Sequence, residues 1–113
     1  MRDDQERLAD LLEAIERIEK YASRGRRAFD EEELIQTWII HHLEIVGEAA
    51  RGLSSEFKDG HPEPVWSKVI GMRHVLAHRY FGIDPDIVWD AVEKDLPLLK
   101  TQILALLGRN EPE

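Results

Sequence analysis

The chain has 113 residues, enough for one domain around a single core and too few for two. It is 42% hydrophobic and 34% charged, the balance of a globular protein rather than a disordered one. It contains no cysteine, which excludes disulfides, thiolate metal sites and cysteine nucleophiles and fits a reducing compartment. The opening MRDDQERLAD has no apolar core, so no signal peptide is expected, and no apolar run approaches the roughly 18 residues of a membrane span. A cytoplasmic protein is expected.

Net charge is −8, from 15 Lys and Arg against 23 Asp and Glu, which argues against general attraction to nucleic acid. The distribution qualifies that. From Val65 to Ile83 there is no Asp or Glu, where the chain average would give about four. The same window holds Lys68, Arg73, His74, His78 and Arg79.

The first helix follows from Leu8, Leu11, Leu12, Ile15, Ile18 and Ala22, one apolar stripe at helical spacing. Gly25 with Arg24, Arg26 and Arg27 ends it. Asp30 then reads as an N-cap with Glu33 completing a capping-box pattern. The second helix turns Leu34, Ile35, Trp38, Ile39, His42, Leu43, Val46, Ala49, Ala50 and Leu53 inward, and frays at Gly52 and Ser54–Ser55. Ser55 to Pro64 is the one expected loop.

The third helix starts near Pro64, runs along Trp66, Val69, Ile70, Arg73, Ala77 and Tyr80, and stops at Gly82. Asp84–Pro85 caps a fourth through Ile87, Val88, Ala91 and Val92. Pro97 interrupts it, and Leu98 to Leu107 forms a short closing helix. No stretch alternates as a strand. The expectation is an all-α, up-and-down antiparallel four-helix bundle with a short extra C-terminal helix. It forms one domain over residues 1–108, followed by a polar tail at 109–113.

Elimination narrows the chemistry to histidine, for there is no phosphate-binding glycine loop and no nucleophile elbow. His61 reads as solvated. His41 and His42 point about 100° apart, so at most one faces the core. His74 and His78 are four apart, a ligand spacing, but only Glu48 offers a supporting carboxylate, and two surface or interface histidines are the plainer reading. Arg73 and His78, five apart, are about 140° apart round a helix. They converge if the helix end unwinds, or if two copies meet across a two-fold axis. Such a cleft suits RNA cleavage without a metal: an imidazole moves the protons and a guanidinium holds the phosphate.

The surrounding residues carry a resemblance. RHVLAHRY at 73–80, with Trp66, Gly71-Met72, Ile83-Asp84, Val88-Trp89, the earlier Ile45-Val46-Gly47-Glu48-Ala49-Ala50 and the later Asp95-Leu96-Pro97, resembles the HEPN ribonuclease toxins of the HepT type. The family pattern is Arg, four residues, His, any residue, Tyr, and the likeness runs from about Leu34 to Leu107. One departure is His74, where the family usually has Asn directly after the motif Arg.

The resemblance implies a homodimeric, metal-independent endoribonuclease needing no cofactor, with His78 as acid–base residue and Arg73 binding the phosphate. It also implies a partner, an MntA-like minimal nucleotidyltransferase antitoxin that transfers AMP to the motif tyrosine, here Tyr80. The added phosphate would set negative charge beside Arg73 and His78. Glu48 could orient Arg73 or His78, or simply pair with Arg51; His74 could take over the hydrogen bond of the usual Asn, or the departure could alter activity. Trp66 and Trp89 read as core or dimer anchors, Lys68 and Arg79 as a phosphate track or solvated charges. The alternative is a non-catalytic helical module that binds a nucleotide or docks a nucleotidyltransferase.

Overall fold

Asp3 opens the first helix in the computed structural model, which describes residues 3–73 and 84–108. Its carboxylate accepts from the Glu6 N–H at 2.8 Å, and Glu6 Oε1 accepts from the Asp3 N–H at 2.9 Å. Helix α1, Asp4–Ala22, then buries Leu8, Leu11, Leu12, Ala14, Ile15 and Ile18 as its stripe requires.

The chain turns at Gly25, whose φ of 94° lies in the left-handed region that favours glycine. Here the structure departs from expectation. A short helix α2, Arg26–Glu31, intervenes, and Asp30 lies inside it, accepting from Arg26 Nε at 2.8 Å instead of capping the next helix. The cause is Phe29, which is 1% exposed and packs on Trp89 with ring centroids 5.4 Å apart: the extra turn carries it into the core.

Helix α3, Glu33–Arg51, starts with Glu32 at its N-cap and no side-chain cap bond. It runs antiparallel to α1, because Trp38 Nε1 donates to the Arg17 carbonyl at one end while the Ser54 N–H donates to Asp4 at the other. Ile35, Ile39, Leu43, Val46 and Ala50 are buried against α1, as expected. Leu34 is not: one residue off the stripe is about 100° of rotation, and it stands 83% exposed.

The expected loop after α3 holds another short helix, α4, Ser55–Gly60. Ser54 caps it, its Oγ accepting from the Phe57 N–H at 3.0 Å. His61 is not simply solvated, for it stacks on Phe57 at 4.2 Å, and its carbonyl accepts from Trp66 Nε1 at 2.8 Å.

Helix α5, Trp66–Gly71, begins two residues after Pro64 and tightens into a 3₁₀ turn at 72–73. It buries Trp66 and Val69. The expected run onward through Tyr80 to Gly82 lies outside the described residues, as does the polar tail.

Helix α6, Pro85–Asp90, has the expected cap, with the Asp84 carboxylate accepting from the Asp86 N–H at 2.9 Å. Ile87, expected inside, is 59% exposed, whereas Val88 is fully buried. Pro97 does not interrupt the helix. A π-helical turn, Ala91–Asp95, joins α6 to α7, Leu96–Leu106, with the Leu96 N–H reaching back five residues to the Ala91 carbonyl. The wider turn shifts the hydrogen-bond register just ahead of Pro97, which then falls in the first turn of α7, where proline is tolerated, so the rod continues where a break was expected.

The described residues therefore form an all-helical bundle without a strand. Among them no helix is long and apolar enough to cross a membrane.

Candidate active site

Glycine in mid-helix costs about 1 kcal/mol against alanine, so Gly47 inside α3 needs a reason. The reason is Arg73. A Cβ on Gly47 would stand 2.8 Å from both the Arg73 Cβ and its backbone nitrogen, and 3.0 Å from the Ile70 carbonyl oxygen. The end of α5 is thus pressed onto α3 at a point only glycine leaves open. Glu48 follows directly, and its Oε2 lies 2.7 Å from Arg73 Nε as an ion pair.

This ion pair draws the guanidinium toward α3. Arg73 has no other side-chain partner among the described residues. The pair is partly open to water, Arg73 33% and Glu48 45% exposed. At that exposure an ion pair adds little to stability, and its effect is on where the guanidinium points. Glu48 also lies 3.5 Å from Arg51, so its two oxygens serve two arginines.

Glu48 forms part of a groove of about 450 Å³ between α1 and α3, lined also by Arg7, Asp10, Arg17, Ile45 and Ala49. Arg7 packs against Gly52, where a Cβ would come within 2.6 Å of its guanidinium carbon. His42 borders the same groove from the core side. It is 7% exposed, its Nδ1 bonds the Trp38 carbonyl at 2.7 Å, and burial holds its pKa below the ordinary value. His42 is thus the inward-facing member of the pair and His41 the exposed one.

Of the residues singled out in the sequence, the structure brings Arg73 and Glu48 together. His74, His78, Tyr80 and Arg79 lie outside the described residues. Lys68 is paired with Asp95 at 3.1 Å, and Trp66 and Trp89 pack in or against the core. Among the described residues no three His, Asp or Glu side chains gather as metal ligands. Gly47 was the positional residue that sequence reasoning missed. Its signal was present, a lone glycine within the apolar stripe of a helix.

The family model described as ribonuclease HepT-like matches residues 11–106. The chain is 38% identical over 96 residues to "Probable ribonuclease HepT" of Thermococcus cleftensis, covering 82% of this chain and 86% of that protein. It is 32% identical over 97 residues to a Methanocaldococcus jannaschii protein named as a candidate RNase, covering 85% and 89% respectively. A second protein of that organism, named gamma-glutamylcyclotransferase and candidate RNase, is 36% identical over 101 residues; the chain spans 88% of itself but only 46% of that relative. No solved structure matches the chain. With the Arg73–Glu48 pair set at the core of the matched segment, the chain belongs to the HepT-like ribonuclease family.

Proposed function

We propose that the protein is a metal-independent endoribonuclease toxin whose cleft is completed by a second copy of the chain. The observation that carries this reading is the Arg73 guanidinium, paired with Glu48 at 2.7 Å and without another carboxylate partner among the described residues, within a HepT-like ribonuclease chain. Arg73 binds the scissile phosphate bidentately and stabilises the extra charge of the pentacoordinate phosphorus. His78 takes the proton of the ribose 2′-hydroxyl as that oxygen attacks phosphorus. The bond to the 5′-oxygen then breaks, and the protonated His78 returns a proton to the leaving oxygen. The products are a 2′,3′-cyclic phosphate and a 5′-hydroxyl. Glu48 is a positioning residue for Arg73, and His74 supplies the hydrogen bond of the usual Asn.

The same reading makes an MntA-like nucleotidyltransferase the antitoxin, with AMP transferred to the Tyr80 hydroxyl. A nucleotide on Tyr80 sets phosphate charge where the substrate phosphate must bind, two residues beyond His78. The location this reading requires is the cytoplasm.

Expression in a bacterial host tests the proposal, with wild type beside His78→Ala and Arg73→Ala. Growth arrest and RNA decay with the wild type alone supports it. Equal growth of all three contradicts it and favours a helical module that binds without cutting.

A further inference from the structure

At the far end of α3 from Glu48 lies a second groove, of about 510 Å³, within the roughly 300–1,000 Å³ range of small-ligand sites. Its walls are largely aromatic and aliphatic, Tyr21 from α1 and Leu34, Ile35, Trp38 and His41 from α3, with Arg24, Glu32 and Thr37 as its polar lining. Tyr21 and Trp38 meet edge to face with centroids 5.2 Å apart, and Trp38 is tied by Nε1 to the Arg17 carbonyl at 2.7 Å. The rings are therefore held in place before anything binds.

Two cations sit over this wall. The Arg24 guanidinium lies 4.9 Å from the Tyr21 ring centroid and Lys20 Nζ lies 5.6 Å from it. Their basic neighbours are already neutralised, Arg26 by Asp30 and Asp86, and Arg27 by Glu31. Lys20 and Arg24 have no carboxylate partner among the described residues. Aromatic side chains beside cations that lack a carboxylate partner fit a ligand joining an aromatic ring to an anionic group. A nucleotide is such a ligand, its phosphate on the cations and its base against the apolar wall.

We propose that this groove binds a nucleotide of a single-stranded RNA at a distance from the cleaved bond, an inference that rests on the ribonuclease reading. The net charge of −8 opposes RNA, so binding here rests on the local cations. One further observation favours RNA. His41 in this groove and Glu48 beside Arg73 are seven residues apart on α3. That is two turns, about 10.5 Å along one line of the helix, so one strand can reach both.

The test measures binding of a labelled single-stranded oligoribonucleotide of about twelve residues, within the usual span of such sites, by fluorescence anisotropy on the full chain. Its 2′-hydroxyls are methylated, so it cannot be cleaved. Tyr21→Leu and Arg24→Glu should each weaken binding about tenfold, whereas Tyr21→Phe, which keeps the ring, should bind as the wild type does. Cleavage of a dinucleotide, too short to reach the groove, should be unchanged in all three. Arg24 is exposed, so its variant reads the site without disturbing the fold. Wild-type affinity in both Tyr21→Leu and Arg24→Glu overturns the proposal. So does adenosine monophosphate competing at the oligonucleotide's own concentration, which would make the ligand a free nucleotide. A changed mass in light scattering with unchanged RNA affinity would make the groove a protein contact, and also overturns it. The ribonuclease reading stands or falls separately, on whether Arg73→Ala abolishes cleavage.

Discussion

Gly47 and Arg73 approach too closely for any side chain on Gly47, because a Cβ there would stand 2.8 Å from the Arg73 nitrogen. That contact sets the height of Arg73 along α3, and Glu48, one residue on, sets its direction. Position and orientation of one guanidinium thus come from two consecutive residues of a neighbouring helix.

Gly47→Ala tests the first half. The added methyl meets backbone rather than a flexible side-chain end, so α5 must shift. A stability loss of about 1–3 kcal/mol is expected in denaturant unfolding, the usual cost of overpacking. RNA cleavage should fall further than that loss explains, since Arg73 moves with α5.

Glu48→Gln tests the second. An ion pair this exposed contributes about 0–1 kcal/mol, so the melting temperature should hardly change. Cleavage should fall by about ten- to a hundredfold, the scale of a misplaced catalytic group. If Glu48 only balances charge with Arg51, Arg51→Ala should match Glu48→Gln; the account expects it to be nearly silent.

Arg73→Lys should lose most of the activity while keeping the positive charge. A lysine cannot offer one edge to Glu48 and a second, planar edge to a phosphate. Steady-state kinetics on a short RNA would read the loss.

Much of this was legible in the sequence because helical periodicity states the core directly. The stripe from Leu8 to Ile18 and the cap at Asp84 stand where expected. The departures have physical causes. The turn α2 exists to bury Phe29, a tertiary demand that no local pattern announces. Pro97 was read as a break because a π turn five residues wide leaves no mark in composition. At the site, Glu48 was visible as a carboxylate in an apolar stretch, but that it reaches Arg73 as well as Arg51 required the fold. Gly47 was visible only as a glycine, since a close approach depends on what approaches.

Two groups give a pH dependence. His42 is buried and its pKa lies below the ordinary 6.5, so the folded state favours the neutral ring, which donates to the Trp38 carbonyl. A depressed folded value means its contribution is complete above about pH 6.5 and is lost as pH falls through the lower folded value. Asp4 is lowered from 3.8 by the Ser54 N–H and then by its hydroxyl, so its contribution is present above that value and is lost in more acid solution. Thermal melts from about pH 7.5 to about pH 5 should show falling stability in the wild type and a flatter profile in His42→Gln. The Asp4→Asn variant should flatten only the limb below about pH 4.

The most direct measurement of the central claim is RNA cleavage by the purified protein, with Arg73→Ala and Glu48→Gln beside it and melting curves for each. The account predicts cleavage by the wild type, none above background with Arg73→Ala, and a partial loss with Glu48→Gln, all three folded alike. Cleavage by a folded Arg73→Ala at the wild-type rate would contradict it, because the guanidinium that Gly47 and Glu48 hold would then have no part in the reaction.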